Sequence, residues 1–174
     1  MLTEGPTHAA AAAAKEKGLD PLTYEAHQIL VRAVTALTGS IRRNNPSRFS
    51  LGRYNVLRLL YAAEEKRLLM SEIGDGLEIS PTIVTRLVDS LVVEGIVERI
   101  THPEDKRKTW AAMTGEGIAI FEGEMPLMAE QIEKLWRGLQ PEEKRLLVHL
   151  LSKLRLSLLT ISPDELKGAA QGAL

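Results

Sequence analysis

Apolar residues recur at three- and four-residue steps along most of the chain, which is the signature of amphipathic helices. Asp20-Pro21 supplies an N-cap and first-turn pair. Behind it Leu22, Ala26, Ile29, Leu30, Ala33, Val34, Leu37 and Ile41 predict a long helix over roughly 21–41. The stretch RRNNPSRFSLG interrupts it, and a second helix carries Val56, Leu57, Leu59, Leu60 and Tyr61. The short apolar run Leu68-Leu69-Met70 leads into one or two helical turns over SEIGDGLEI. Ser80-Pro81 then opens a helix that Gly95 closes. From Gly95 the pattern changes: IVERI and TWAAM read as two short strands joined by the charged turn HPEDKRK, a hairpin. Thr114 caps a further helix reaching about Trp136, which Pro126 should kink. Pro141 opens a last long helix through Leu146, Leu147, Leu150, Leu151, Leu154, Leu158 and Leu159. THAAAAAAKEKG at the start reads as a helical arm, and Ser162-Pro163-Asp164-Glu165 as the cap of a small terminal helix.

A short helix, a tight turn, a capped helix and a hairpin in succession make a winged helix-turn-helix. In such a unit the second helix can enter a DNA major groove while the hairpin tip reaches a neighbouring minor groove. The second helix, about 81–94, turns Val84, Leu87, Val88 and Leu91 to one face and Thr82, Thr85, Arg86 and Asp89 to another. With Ser80 and Pro81 at its start, Thr82, Thr85 and Arg86 are the candidates for base edges. At the hairpin tip Asp105, Lys106, Arg107 and Lys108 are the candidate wing contacts. Asp105 is placed to restrain the side chain of either Arg107 or Arg99 while Arg107 projects into a narrow, electronegative groove.

Composition narrows the chemistry. The 174 residues suit one domain of ordinary size, and the absence of cysteine excludes disulfides, thiolate catalysis and thiolate metal sites. His8, His27, His102 and His149 stand in four unrelated places, and no phosphate loop or paired-acid motif occurs. No enzyme, metal or cofactor is therefore expected. No secretory leader is read at Leu2-Thr3-Glu4 and no apolar run approaches the length of a membrane span, so a soluble, cytoplasmic protein without membrane contact is expected. With 4% aromatic residues against 44% hydrophobic overall, the aliphatics must carry the core. The net charge of −1 hides an uneven distribution: Arg32, Arg42, Arg43, Arg48, Arg53 and Arg58 lie between 32 and 63 without one acidic residue. Arg42, Arg43, Arg48 and Arg53 flank the start of the second long helix and are candidate phosphate contacts.

The segment ISPTIVTRLVDSLVVEGIVER with the wing HPEDKRKTWAAMTGEG resembles the multiple-antibiotic-resistance regulator (MarR) family of winged helix-turn-helix transcription factors. Asp105, Arg107, Thr114 and Gly117 match the family's Asp-x-Arg wing and the Leu-Thr-x-x-Gly that follows it. Gly95, Val97 and Arg99 match the approach to the wing. Gly74, Lys106, Ala111 and Met113 are mild departures. The resemblance implies a mostly α fold with a small β-hairpin wing. The winged helix-turn-helix (49–114, wing about 96–113) is embedded in an intertwined all-helical dimerisation region formed by the arm (1–19), the first helix (20–48) and the C-terminal helices (115–174). It implies a homodimer on double-stranded DNA, a pseudo-palindromic operator and a ligand-responsive repressor. A small amphipathic aromatic acid or drug-like effector would lie among Tyr24, His27, Val31, Tyr54, Leu57, Arg58 and Trp110. Alternatively, Tyr54 and Trp110 wedge the two lobes together and His27 is a satisfied interface histidine. A winged-helix protein-protein adaptor without DNA is the rival function.

Overall fold

Nine elements are formed in the computed structural model, which describes residues 18–162. The expected arm, up to residue 17, and the expected helix after Ser162 lie outside the described residues. Helix α1 spans Pro21–Arg43, α2 Leu51–Ala62, α3 Met70–Leu77, α4 Pro81–Val93, α5 Gly115–Trp136 and α6 Pro141–Thr160. Strands β1, β2 and β3 span Arg67–Leu69, Val97–Thr101 and Thr109–Met113.

The caps explain several boundaries. Asp20 Oδ2 accepts from Thr23 N at 2.8 Å and Thr23 Oγ1 at 2.7 Å, and these bonds hold its carboxyl below the usual range. Glu72 Oε2 accepts from Leu69 N at 2.7 Å to open α3, and Glu143 Oε2 does the same for Gln140 N at 2.7 Å ahead of α6. The break after α1 is an ordered loop: Asn45 Nδ2 donates to Phe49 O at 2.7 Å, and Ser47 and Phe49 are buried. Gln131 Nε2 on α5 donates to Asn44 O at 2.8 Å.

The sheet has three antiparallel strands in the order β1-β3-β2. The outer strand β1 corrects the expectation of a plain lead-in at 68–70. Arg67, Leu68 and Leu69 face Ala112, Ala111 and Trp110 across the ladder. Three residues are too few to show a period of two, and their strand state comes from the open edge that β3 offers them. Pro126 lies within α5, which is helical across it.

The chain divides into two compact units, Met1–Gln131 and Ile132–Leu174, the boundary falling inside α5. The core of the first unit gathers Val56, Leu57 and Leu60 of α2, Ile73 of α3, and Val84, Val88 and Leu91 of α4. Ile96, Val97, Ala111, Met113 and Phe121 join them from the sheet and α5. Each such aliphatic side chain contributes about 1.5–3 kcal/mol by leaving water. Thr114 and Gly117 dock α5 onto this core. Thr114 Oγ1 accepts from Gly117 N at 2.9 Å and donates to Gly95 O at 2.8 Å. At Gly117 the backbone of Ile96 approaches so closely that a Cβ would lie 2.0 Å from its carbonyl oxygen. Only glycine fits there.

In the second unit no residue of α6 is buried. Leu146, Val148, Leu150, Leu154, Leu156, Leu158 and Leu159 are all exposed. Ile132, Trp136, Leu147, Val148 and Leu151 line a groove of about 290 Å³. Helix α1 likewise buries none of its residues, and Leu22 is 72% exposed.

Candidate nucleic-acid interface

Helix α4 has the two faces its periodicity predicts. Val84, Val88 and Leu91 are buried, whereas Pro81, Thr82, Thr85, Arg86 and Asp89 line one open surface depression. Between α3 and α4 the chain turns at Glu78, whose φ of 54° closes α3 in the left-handed region. Ser80 departs from the expected capping role. Its carbonyl accepts from Ile83 N and Val84 N at 2.9 and 3.1 Å, but its side chain makes no cap hydrogen bond. Pro81 at the first turn already fixes the helical φ, and the Ile83 N–H that a capping side chain would take goes to the Ser80 carbonyl instead. The Ser80 hydroxyl is thus left exposed beside Thr82.

The wing tip is held by a short ladder. His102 N donates to Lys108 O at 3.0 Å and Lys108 N to Asp105 O at 2.8 Å. Asp105 Oδ1 accepts from both Arg107 N and Arg107 Nε, each at 3.1 Å. These two bonds, followed by the positive charge of Lys108, keep the Asp105 carboxyl below the usual range. The Arg107 side chain is 92% exposed, so it is aimed without being covered. Lys106 and Lys108 are exposed beside it. Of the two partners the sequence leaves open for Asp105, the geometry selects Arg107. Arg99 instead pairs with Asp89 at 2.7 Å, joining the first wing strand to the outer face of α4. This Asp89–Arg99 pair goes unread in the sequence, where the two residues stand ten positions apart in different elements.

The arginines divide into two sets. Arg42 and Arg43 are exposed in the last turn of α1. Arg48 and Arg53, also expected as phosphate contacts, both converge on Glu94, the residue that ends α4. Arg53 Nη2 lies 2.6 Å from Glu94 Oε2 as an ion pair lacking good hydrogen-bond angles, and Arg48 Nη2 lies 3.5 Å away. The Arg53 side chain is 16% exposed and its guanidinium lies over the Phe49 ring at 5.1 Å. Arg53 first, then Arg48, holds the Glu94 carboxyl below the usual range. A helix of 13 residues at 1.5 Å each puts this cluster roughly 20 Å from the Pro81 end of α4. Glu94 lies outside the acid-free stretch, so counting charges along the chain could not reveal it.

The seven expected effector residues fall into three surroundings. Tyr24 is half-buried and His27 and Val31 are exposed on α1. On α2, Arg58 is exposed and Tyr54 is half-buried with its ring 5.3 Å from that of Phe121; burial pushes its phenol up while Arg58 pulls it down. Leu57 is corrected: it is wholly inside the core and presents no surface. Trp110 belongs to the wing sheet, with the Arg67 guanidinium 4.2 Å and the His102 ring 4.4 Å from its ring. Helical and strand periodicities mark burial without naming the neighbour, so the sequence could not tell that Leu57 would sit wholly inside the core. Among the described residues no group of three or more acidic or histidine side chains could hold a metal ion. Nor is any described helix long and apolar enough to cross a membrane.

Residues 49–109, from the loop before α2 to the start of β3, match the family described as MarR. The HTH-type transcriptional regulator YkoM of Bacillus subtilis is 30% identical over 128 residues, covering 73% of this chain and 82% of YkoM. The chain belongs to the MarR family. The HTH-type transcriptional repressor YetL of Bacillus subtilis is 34% identical over 105 residues, covering 60% of this chain and 63% of YetL. The chain thus spans a little under two thirds of that relative. Sco3205, a MarR-family regulator from Streptomyces coelicolor solved in complex with DNA, superposes with a TM-score of 0.72 at 22% identity. That match covers 80% of this chain and 89% of Sco3205, and it establishes the MarR-type winged helix-turn-helix fold.

Proposed function

We propose that this protein is a transcriptional repressor that binds a pseudo-palindromic operator in double-stranded DNA as a homodimer. One observation carries the reading. Thr82, Thr85 and Arg86 stand exposed on α4 while the opposite face of the same helix is sealed in the core, and a wing arginine stands 92% exposed in the same winged unit. Ser80, Pro81, Thr82, Thr85 and Arg86 enter the major groove, with Arg86 bidentate to guanine. Asp105 aims Arg107 at the minor groove, and Lys106 and Lys108 meet phosphates beside it. Arg42 and Arg43 supply further phosphate contacts, a role in which Arg48 and Arg53 would have to leave Glu94. The description of YetL as a repressor and of Sco3205 as a DNA complex favour the same reading.

Dimerisation is favoured by the uncovered apolar surface. Helix α6 exposes six large aliphatic side chains above half of their area, and α1 exposes Leu22 and Ile29 to the same degree. A second copy of the chain would cover such surfaces and set two α4 helices about 34–36 Å apart, one DNA turn. The repressor is released by a small amphipathic aromatic acid held by Tyr24, His27, Tyr54 and Arg58, with Val31 against its ring.

The deciding experiment is footprinting on genomic fragments, followed by affinities for the footprinted duplex and a random duplex at two salt concentrations. Arg86→Ala should cost roughly 1–3 kcal/mol on the footprinted duplex and much less on the random one. Equal losses on both would reduce Arg86 to a phosphate contact. Binding without steep salt dependence, or none, would leave the adaptor function instead.

A further inference from the structure

At the base of the wing tip two backbone amides converge on one ring nitrogen. The N–H groups of Glu104 and Asp105 both donate to His102 Nδ1, each at 3.3 Å. A backbone N–H can only donate, so Nδ1 must carry its lone pair and the proton of the neutral ring sits on Nε2. The ring itself rests against Trp110, centroid to centroid 4.4 Å. Asp105, whose amide His102 holds, is the residue whose carboxylate receives the backbone N and the Nε of Arg107. A continuous chain of contacts therefore runs from the imidazole to the wing arginine.

We propose that His102 is a positioning residue of the wing: the neutral imidazole fixes the Glu104 and Asp105 amides and so aims Arg107, and protonation at Nδ1 frees the tip and weakens DNA binding. The proposal rests on the DNA-binding reading above. Imidazole is the side chain that ordinarily changes charge between about pH 5 and 8. A proton on Nδ1 replaces the acceptor by a third N–H pointed at two others, and both hydrogen bonds are lost. The charges around the ring act in both directions. On its own turn the Asp105 carboxylate interacts with the ring, and Glu104 adds to it, while Lys106, Arg107 and Lys108 oppose a further cation. From β1, Arg67 lies over the other contact of the ring, Trp110, and is itself paired with Glu65. No arrangement of these charges returns an acceptor to protonated Nδ1.

The test uses the full chain, its His102→Asn and His102→Ala variants, and a mixed-sequence DNA duplex at pH 8 and pH 5.5. Asparagine keeps a side-chain acceptor able to reach the amide two residues on and does not titrate. Parent and H102N should bind alike at pH 8, and H102A should bind more weakly. At pH 5.5 the parent should fall about fivefold relative to H102N, the size expected for two modest hydrogen bonds. In the free protein, the Glu104 and Asp105 amide resonances should follow the ring through its titration in the parent and stay still in H102N. A parent-to-H102N ratio that is the same at both pH values would overturn the inference while leaving DNA binding standing. So would amide resonances that ignore the ring. A parent that binds no DNA at pH 8 would overturn both this inference and the function on which it rests.

Discussion

Replacing Gly117 by alanine should be among the most damaging single-methyl changes this chain can suffer. The added Cβ would lie 2.0 Å from Ile96 O, 2.8 Å from its carbonyl carbon and 3.1 Å from its Cα. All three are backbone atoms, so no side chain can rotate aside. Relief requires the first turn of α5 to move more than an ångström from the segment entering β2. That movement pulls on three hydrogen bonds: Gly117 N to Thr114 Oγ1 (2.9 Å), Thr114 Oγ1 to Gly95 O (2.8 Å) and Thr114 N to Ile96 O (3.1 Å). Overpacking of this kind costs about 1–3 kcal/mol, and each strained bond up to about 1 kcal/mol more. A total near 3–5 kcal/mol should lower the melting temperature by roughly 10 °C or more in a chain of this size. Gly123→Ala is the matched control, because a Cβ at that exposed site on the same helix meets nothing within 4 Å. It should be neutral or raise stability by up to about 1 kcal/mol through helix propensity. Thermal and urea unfolding of the two variants beside the parent make the comparison. Gly117→Ala melting within about 3 °C of the parent would refute the argument that the close approach at Ile96 dictates glycine.

Asp105→Ala should leave circular dichroism and melting unchanged yet weaken DNA binding, because it frees Arg107 without touching the core; a gel shift equal to that of the parent would sink the restraint. Glu94 is held below its ordinary carboxyl range by Arg53 and Arg48, so its stabilising effect is complete above that ordinary range and is lost as pH falls through the depressed value. Glu94→Gln should therefore destabilise the protein at neutral pH, with the gap closing in acid; urea midpoints from pH 7 down to 3 would show it, and a constant gap would count against it. If a second copy covers α1 and α6, the melting temperature should fall across a hundredfold dilution, and a monomer that stays folded with an unchanged transition would refute the dimer.

The positions that alternate between core and solvent on α4 were legible in the sequence, because a 3.6-residue period assigns each side chain to a face whatever it packs against. Val84, Val88 and Leu91 went inward and Thr82, Thr85 and Arg86 outward for that reason alone. The wing was legible too, since a charged turn between two short apolar runs has few other solutions, and Asp105 two residues before Arg107 already implies a local contact. Tertiary structure alone decided matters that depend on which distant segments meet. It made a strand of Arg67–Leu69 by offering the edge of β3, and it brought Arg53 and Arg48 to Glu94. It sent Arg99 to Asp89, sank Leu57 into the core, and set Trp110 against His102. Periodicity records how each residue faces its own helix or strand axis. It carries no information about the partner across a gap of forty residues, which is fixed only when the elements pack.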